Sequence, residues 1–273
     1  MEPQKRAGRN LISNEEAEYA RFLRESFLDH ANEIAKPVHP KSSFYSRYGK
    51  RLLDLIVSIP TFILLLPINL IFGICTLFDV GTPVFYRQER TGLNGVPFTI
   101  TKFRNMNEKR DSEGNLLPAK DRVTKFGKIM RKYSFDELLN FWNVIKGEMS
   151  IIGPRPLPSF FRERMSNRHK MREKVKPGLE CPRMIALSED DVGYYQLQYE
   201  NDIWYVENIS LFTDLKMVFA LVRMVFDVSE RGKHAEVGTY FVGYNENAIA
   251  VSLRLAKEQY PNINCKLKSK NDL

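Results

Sequence analysis

Between Asp54 and Asp79 the chain runs for twenty-four residues, LIVSIPTFILLLPINLIFGICTLF, without one charged side chain. As a helix rising about 1.5 Å per residue, such a run is long enough to cross a hydrocarbon core ~30 Å thick. A buried core helix seldom runs so far without a charge, so the segment reads as membrane-embedded. Pro67 near its middle and Pro60 a third of the way in each remove a backbone donor and crowd the preceding turn, which favours a kink. From hydropathy alone, a bitopic helix with a proline kink is the simplest form. The flanks point elsewhere. Lys50 and Arg51 precede the run while Arg87, Arg90, Lys102 and Arg104 follow it, and the positive-inside rule then places both ends in the cytoplasm. A helix bent near Pro67 that dips into the bilayer and returns satisfies both constraints, each half being about twelve residues or ~18 Å long.

The mean hydropathy of −0.35 averages over this run and a polar remainder. With 273 residues, 43% of them hydrophobic, the chain has ample material for a core, which excludes a disordered protein. Forty-one Lys and Arg against thirty-three Asp and Glu leave +8, which calls for an anionic partner: nucleic acid, anionic lipid or a phosphorylated substrate. Cys75, Cys181 and Cys265 are scattered and in no CxxC spacing, which argues against a disulfide framework or zinc knuckle and fits a reducing compartment. The first thirty residues, with Glu15, Glu16 and Glu18, lack the apolar stretch of a signal peptide.

Ser13 and Glu16 have capping-box spacing and open a helix to about Ala35, with Ala20, Leu23, Phe27, Ala31 and Ile34 on one stripe. It reads as an amphipathic surface helix in preference to a packing or oligomerisation helix, and its acids weigh against adhesion to anionic lipid. Residues 82–104 read as two short strands around Gly92-Leu93-Asn94-Gly95, followed by a polar loop over 107–121. Helices are expected over 122–132, 134–147, 157–173 and 211–228. The last carries Asp214, Lys216, Arg223 and Asp227 and so belongs to a core or interface rather than a second span. After Ser229 the chain turns glycine-containing, then shows a short helix near 246–258 and a basic polar tail.

The residues suited to chemistry crowd between Arg122 and Arg155. Arg122, Lys125, Lys128 and Arg131 recur every three residues and on one helix would form a cationic stripe, either a solvated face or one turned to lipid phosphates. Ser134 and Glu137 have capping-box spacing, which by itself would explain both. Asp136 would lie in the first helical turn, where the dipole favours an ionised carboxylate and free N–H groups can hold phosphate. A carboxylate beside a phosphate site is a nucleophile for phosphorus, provided Mg²⁺ or clustered Arg and Lys offset the repulsion between two anions. Glu137 suits Mg²⁺ as an oxygen ligand. In Gly153-Pro154-Arg155-Pro156 the flanking prolines stiffen the backbone around a guanidinium fork matched to phosphate, and Lys102-Phe103-Arg104 adds two cations near a strand end.

In this order the motifs resemble those of the bacterial sugar transferases, the monotopic phosphoglycosyl transferases. The matching residues are Lys50-Arg51-Leu52-Leu53-Asp54, Pro83-Val84-Phe85-Tyr86-Arg87-Gln88, Lys102-Phe103-Arg104-Asn105-Met106 and Arg122-Val123-Thr124-Lys125-Phe126-Gly127. They continue through Met130-Arg131 to Ser134-Phe135-Asp136-Glu137-Leu138, Asn143-Val144, Gly147-Glu148-Met149-Ser150, Gly153-Pro154-Arg155-Pro156, Pro177-Gly178, Trp204-Tyr205 and Asp214-Leu215-Lys216. The resemblance covers about Lys50 to Val225. It implies transfer of a phosphosugar from a UDP-sugar to undecaprenyl phosphate with release of UMP, initiating a surface glycan. It further implies Asp136 as nucleophile of a ping-pong reaction through a covalent intermediate, Glu137 as a holder of Mg²⁺, and Lys102, Arg104, Arg131 and Arg155 around the diphosphate or the carboxylate pair. The family's membrane segment is re-entrant, which decides for the bent helix. Three departures stand out: Leu66 where the family has Ser before the proline, Asn105 where it has Thr, and Leu179-Glu180-Cys181-Pro182-Arg183-Met184 where it has a segment that bears on donor choice.

The expected fold class is accordingly α+β, mostly helical, a membrane-associated monotopic catalytic domain with one re-entrant hydrophobic helix and a small β-hairpin. The expected divisions are an N-terminal amphipathic arm (1–46), the re-entrant helix (47–80), a cytoplasmic catalytic domain (81–228) and a C-terminal extension (229–273). The chain would sit at the bacterial inner membrane, with a homodimer or a downstream glycosyltransferase as further partners. A degenerate scaffold that binds nucleotide sugar is opposed by the presence of both Asp136 and Glu137. A nucleic-acid binder rests on charge alone, and the cations coincide with the transferase motifs.

Overall fold

The structure, a computed structural model, describes residues 13–112, 114, 117, 119–185, 189–226, 240–261 and 263. Ser13 starts the first helix as its spacing predicts: α1 (Asn14–Glu33) begins where the Ser13 hydroxyl accepts from the Glu16 N–H at 3.1 Å. Tyr19, Ala20, Leu23 and Ala31 form its buried face. Ile34, expected on that stripe, is 55% exposed because the helix has already ended. Glu16 is also buried, paired at 2.8 Å with Arg164.

A π-helical turn, Tyr45–Gly49, leads into α2 (Lys50–Val80), thirty-one residues with Pro60 and Pro67 inside. Both of its ends are fastened to the rest of the fold. At the start, Lys50 pairs with Asp214 at 2.6 Å, Arg51 donates to the carbonyls of Val144 and Ile145 at 2.6 and 2.7 Å, and Asp54 accepts from Ser150 Oγ and Ile151 N at 2.9 and 3.0 Å. At the finish, Asp79 accepts from the Thr124 hydroxyl at 2.5 Å and Arg104 donates to the carbonyls of Val80 and Gly81. Phe62 meets Trp142, and Phe72 stacks on Phe135 at 4.9 Å. The outward face is bare hydrocarbon, with Leu64 74% and Phe78 86% exposed.

The predicted hairpin forms from β1 (Phe85–Thr91) and β2 (Pro97–Phe103), antiparallel, with Phe85 opposite Phe103 and Thr91 opposite Pro97. The cationic stripe expected over 122–131 is divided. Arg122 ends α3 (Ala119–Arg122), and Thr124 then caps a separate α4 (Lys125–Lys132), its hydroxyl accepting from Gly127 N at 2.8 Å. The capping box expected at Ser134 does not form. Ser134 adopts a left-handed φ of 56° as the chain turns out of α4, and the run expected as one helix over 134–147 becomes a 3-10 stretch, Phe135–Asn140, followed by α5 (Phe141–Lys146). A second sheet, absent from the sequence reading, pairs β3 (Ser150–Ile152) in parallel with β4 (Gly178–Glu180).

The helix expected over 157–173 is broken into 3-10 turns at Ser159–Arg164 and Met171–Lys174 around α6 (Asn167–Lys170), because Ser166 leaves the helical region to cap α6. Sequence periodicity missed α7 (Glu189–Asn208) and found α8 (Leu211–Phe226). Beyond Tyr240 the expected short helix is preceded by a third sheet, β5 (Phe241–Tyr244) against β6 (Ala250–Ser252), and occupies only α9 (Leu253–Gln259). Most of the stretch after Ser229 and the tail after Ile263 lie outside the described residues. The single small hairpin of the expected fold class is thus one of three two-stranded sheets among the described residues.

The first helix packs against the last two strands. Leu23 of α1 packs with Val242, Val251, Ala256 and Ile263, while Ala31 joins Phe241 and Tyr244 against Leu157, Phe161 and Tyr199. The C-terminal strands cover the apolar face of α1, while Glu15, Glu18, Arg21 and Arg24 on its other side are exposed. Separate clusters join β2 to α5 through Phe98, Ile100 and Val144, and β3 to α7 and α8 through Ile152, Tyr205 and Met217.

Candidate active site

Asp136 and Glu137 sit side by side on the 3-10 stretch after α4, and their environments differ. Asp136 is 7% exposed and accepts from Asn105 Nδ2 at 3.2 Å. Glu137 Oε1 accepts from Lys102 Nζ at 2.5 Å and from Arg155 Nη2 at 3.0 Å. The hairpin supplies Lys102 because alternation along β2 puts Phe98, Ile100 and Lys102 on one face. The first two side chains are buried in the core beside α5, and the ammonium emerges at Glu137.

Arg155 comes from the rigid turn after β3. That turn lies so close to β4 that a Cβ on Gly178 would fall 2.1 Å from Gly153 N, and the two segments exchange bonds from Gly153 N to Glu180 O and from Gly178 N to Pro154 O. Its backbone is tied down a second time. Arg172 donates to the Arg155 carbonyl at 2.7 Å while its fork meets Asp202 of α7 at 2.9 and 2.6 Å. Arg172 and Asp202 are both buried.

The charges divide the labour of the two carboxylates. Burial, the largest influence on Asp136, pushes its carboxyl above the ordinary value of 3.8; Lys102 and Arg131 pull it back and Glu137 adds to the rise. Burial acts on Glu137 in the same sense, but Arg155 and Lys102 outweigh it and hold that group well below the usual carboxylate range. Glu137 in turn raises Arg155. Glu137 is thus a fixed negative charge, and Asp136 is the more basic, more nucleophilic of the pair.

Of the other cations singled out from sequence, Arg131 reaches Asp136 through Asn105, whose Oδ1 accepts from its Nε and Nη2 at 3.1 and 3.0 Å. Arg104 lies at the end of α2 on the Val80 and Gly81 carbonyls, with a buried Nε that has no partner among the described residues. Sequence reasoning missed Arg90 as a member. It lines a narrow cleft with Lys102, Glu137, Arg155 and Leu179, donates to Pro156 O at 3.0 Å and to Gln88, and is brought down to about 10 by burial and by the charge of Arg155. Register carried the signal: Gln88 and Arg90 stand opposite Ile100 and Phe98, on the face that bears Lys102. Leu179 brings the divergent segment into the same cleft.

The donor set fits a hard divalent cation. Asp136 and Glu137 are oxygen ligands, both bonded cations occupy the same Glu137 oxygen, Oε1, and Mg²⁺ characteristically takes one or two carboxylates and fills its shell with water and phosphate. Among the described residues no group of three His, Cys, Asp or Glu offers an all-protein cage.

The sequence profile of the bacterial sugar transferase family matches residues 45–228, which takes in α2 through α8 and leaves out α1, β5, β6 and α9. The chain is 42% identical over 183 residues to a Bacillus subtilis protein named uncharacterized sugar transferase EpsL, covering 66% of this chain and 88% of that one. It is 33% identical over 194 residues to the exopolysaccharide production protein ExoY of Rhizobium meliloti, covering 65% and 85%. It is 35% identical over 181 residues to a UDP-glucose:undecaprenyl-phosphate glucose-1-phosphate transferase of Klebsiella pneumoniae, covering 63% of this chain and 39% of that longer protein.

Proposed function

We infer the function from one premise: the chain belongs to the bacterial sugar transferase family. The reaction we propose is that named for its relatives, transfer of a sugar phosphate from a UDP-sugar to undecaprenyl phosphate with release of UMP, at the start of a surface glycan. The observation that carries it is the asymmetric carboxylate pair, Asp136 buried and raised beside a Glu137 clamped by Lys102 and Arg155.

An Asp136 carboxylate oxygen attacks the phosphorus that bears the sugar. The bond from that phosphorus to the oxygen bridging the two phosphates breaks, its electron pair leaves on UMP, and a mixed carboxylic-phosphoric anhydride remains on the enzyme. A phosphate oxygen of undecaprenyl phosphate then attacks the same phosphorus and the Asp136 carboxylate leaves. Lys102 and Arg155 pair with Glu137 and Arg90 lines the same cleft, so the cleft keeps a positive excess for the diphosphate oxygens. Glu137 would hold Mg²⁺ through the carboxylate oxygen that Lys102 and Arg155 do not occupy, and the ion would supply Lewis-acid charge neutralisation at those oxygens. The test is UMP release in detergent from a panel of UDP-sugars with undecaprenyl phosphate and Mg²⁺. In the pH profile of kcat/KM, activity requires ionised Asp136. It therefore falls as pH drops through the raised value, so the acid limb lies above 3.8. Silence from every donor, or an acid limb at or below that value, refutes this assignment of the pair.

The same proposal places α2 in the inner membrane as a re-entrant helix, with the catalytic body on the cytoplasmic face. A straight crossing would carry its ends to opposite sides, whereas here Asp54 is bound to β3 and Asp79 to the cap of α4. In a cysteine-free background, Lys41→Cys and Glu89→Cys should both resist an impermeant thiol reagent in intact spheroplasts and both react after lysis. Labelling of one from each side would restore the bitopic helix.

A further inference from the structure

We propose that Asn105 is a positioning residue for Asp136, relaying the charge of Arg131 to it through one carboxamide; this deepens the transferase reading and rests on it. Asn105 follows β2 and is buried. Its two ends face groups of fixed hydrogen-bonding sense. Arg131 can only donate and an ionised Asp136 can only accept, so the oxygen must face the guanidinium and the amide nitrogen must face the carboxylate. Two charge-assisted bonds on Oδ1 polarise the amide and strengthen the N–H it offers to Asp136 Oδ2.

The backbone cannot drift away from this duty. A Cβ on Gly127 would lie 2.2 Å from Asn105 O, so the first turn of α4 rests directly on Asn105, and Thr124 N donates to the same carbonyl at 3.4 Å. The helix that carries Arg131 and the residue that contacts Asp136 are thereby locked together. A donor to Oδ2 fixes the side-chain torsion from which the other oxygen attacks. Threonine, which the resemblance leads one to expect here, offers a single rotatable hydroxyl for both partners. The carboxamide presents acceptor and donor at once in a rigid plane.

The experiment compares Asn105→Ala, Asn105→Asp and Asn105→Thr in the full-length protein. Loss of the relay should lower kcat about tenfold to a hundredfold in Asn105→Ala with the donor KM changed less than about threefold. Asn105→Asp, of equal shape but presenting an oxygen to Asp136, should be worse, while Asn105→Thr should recover part of the loss. A crystal structure of Asn105→Ala, read for the Asp136 side-chain torsion and its separation from Arg131, reports the positioning without turnover. It isolates Asn105 even if no donor yields UMP, an outcome that would count against the transferase reading alone. Wild-type kcat in Asn105→Ala with an unmoved Asp136 side chain overturns the proposal. So does equal loss in all three variants with lowered thermal midpoints, which marks a merely structural role.

Discussion

Asp136→Asn should reduce UMP release by about four orders of magnitude or more, since the variant loses the nucleophile while the surrounding cations still bind donor. The donor KM or Kd should change little: Lys102, Arg155 and Arg90 line the cleft and Glu137 keeps its two ion pairs. The same substitution should not destabilise the protein. Asp136 is raised mainly by burial, so at neutral pH the fold carries an ionised group it disfavours, next to a second carboxylate. The sign follows from linkage. A group whose folded value lies above its unfolded one costs stability at pH values above both, and an isosteric neutral amide removes that cost. The thermal midpoint of Asp136→Asn in detergent should therefore equal or exceed that of the parent, as expected where function is bought with local destabilisation. In the absence of lipid, the parent should carry a phosphosugar adduct on the peptide containing Asp136 and the variant should not. A variant that still turns over would move the nucleophile elsewhere, Glu137 being disfavoured because Arg155 and Lys102 hold its carboxyl well below the usual range.

The carboxylate pair was legible in sequence because its neighbours in the chain are unusual, but its setting was not. Ser134 and Glu137 have the spacing of a capping box, and local rules alone would join them. The structure breaks that rule at the point where chemistry is expected: Ser134 turns left-handed and Glu137 faces Lys102 and Arg155, which are distant in sequence. The long apolar run, the Ser13 cap and the Gly92–Gly95 hairpin were readable because each depends on local composition or turn chemistry. The α7 helix was not, since Tyr195, Tyr199, Asp202, Tyr205 and other side chains are buried around several of its faces and leave no polar stripe. The parallel pairing of β3 with β4 joins three-residue strands twenty-eight positions apart, Ser150 to Gly178, and no periodicity can register at that length. Nor could sequence say that the apolar face of α1 packs on β5, because a contact so distant in the chain is decided by tertiary packing.

Asp202→Ala should be the most destabilising change away from the carboxylate pair, by about 3–5 kcal/mol, because it strands the buried guanidinium of Arg172 without a counter-charge. The double variant Arg172→Met, Asp202→Leu replaces both charges with apolar groups of similar size and should recover most of that loss in thermal unfolding. Recovery of stability should not restore turnover. Arg172 also donates to the Arg155 carbonyl, and without that bond the turn presenting Arg155 to Glu137 is left with its exchange with β4 and the bond from Arg90 to Pro156 O. A displacement of about 1 Å at a charge-stabilising group can cost on the order of a hundredfold in rate. The double variant should therefore fold like the parent while kcat stays depressed by about tenfold or more, with the binding of UMP weakened less. Full activity in a fully stable double variant would show that Arg155 is placed by the prolines and the Gly153–Gly178 crossing alone, leaving Arg172 and Asp202 with a packing role. The contrast matters beyond this pair because α7, which carries Asp202, also holds the divergent segment: Asn201 accepts from Met184 N at 2.6 Å and donates to Pro182 O. One helix thus supports both the turn that carries Arg155 and the stretch that lines the cleft through Leu179, so substitutions on α7 should change donor preference and rate together.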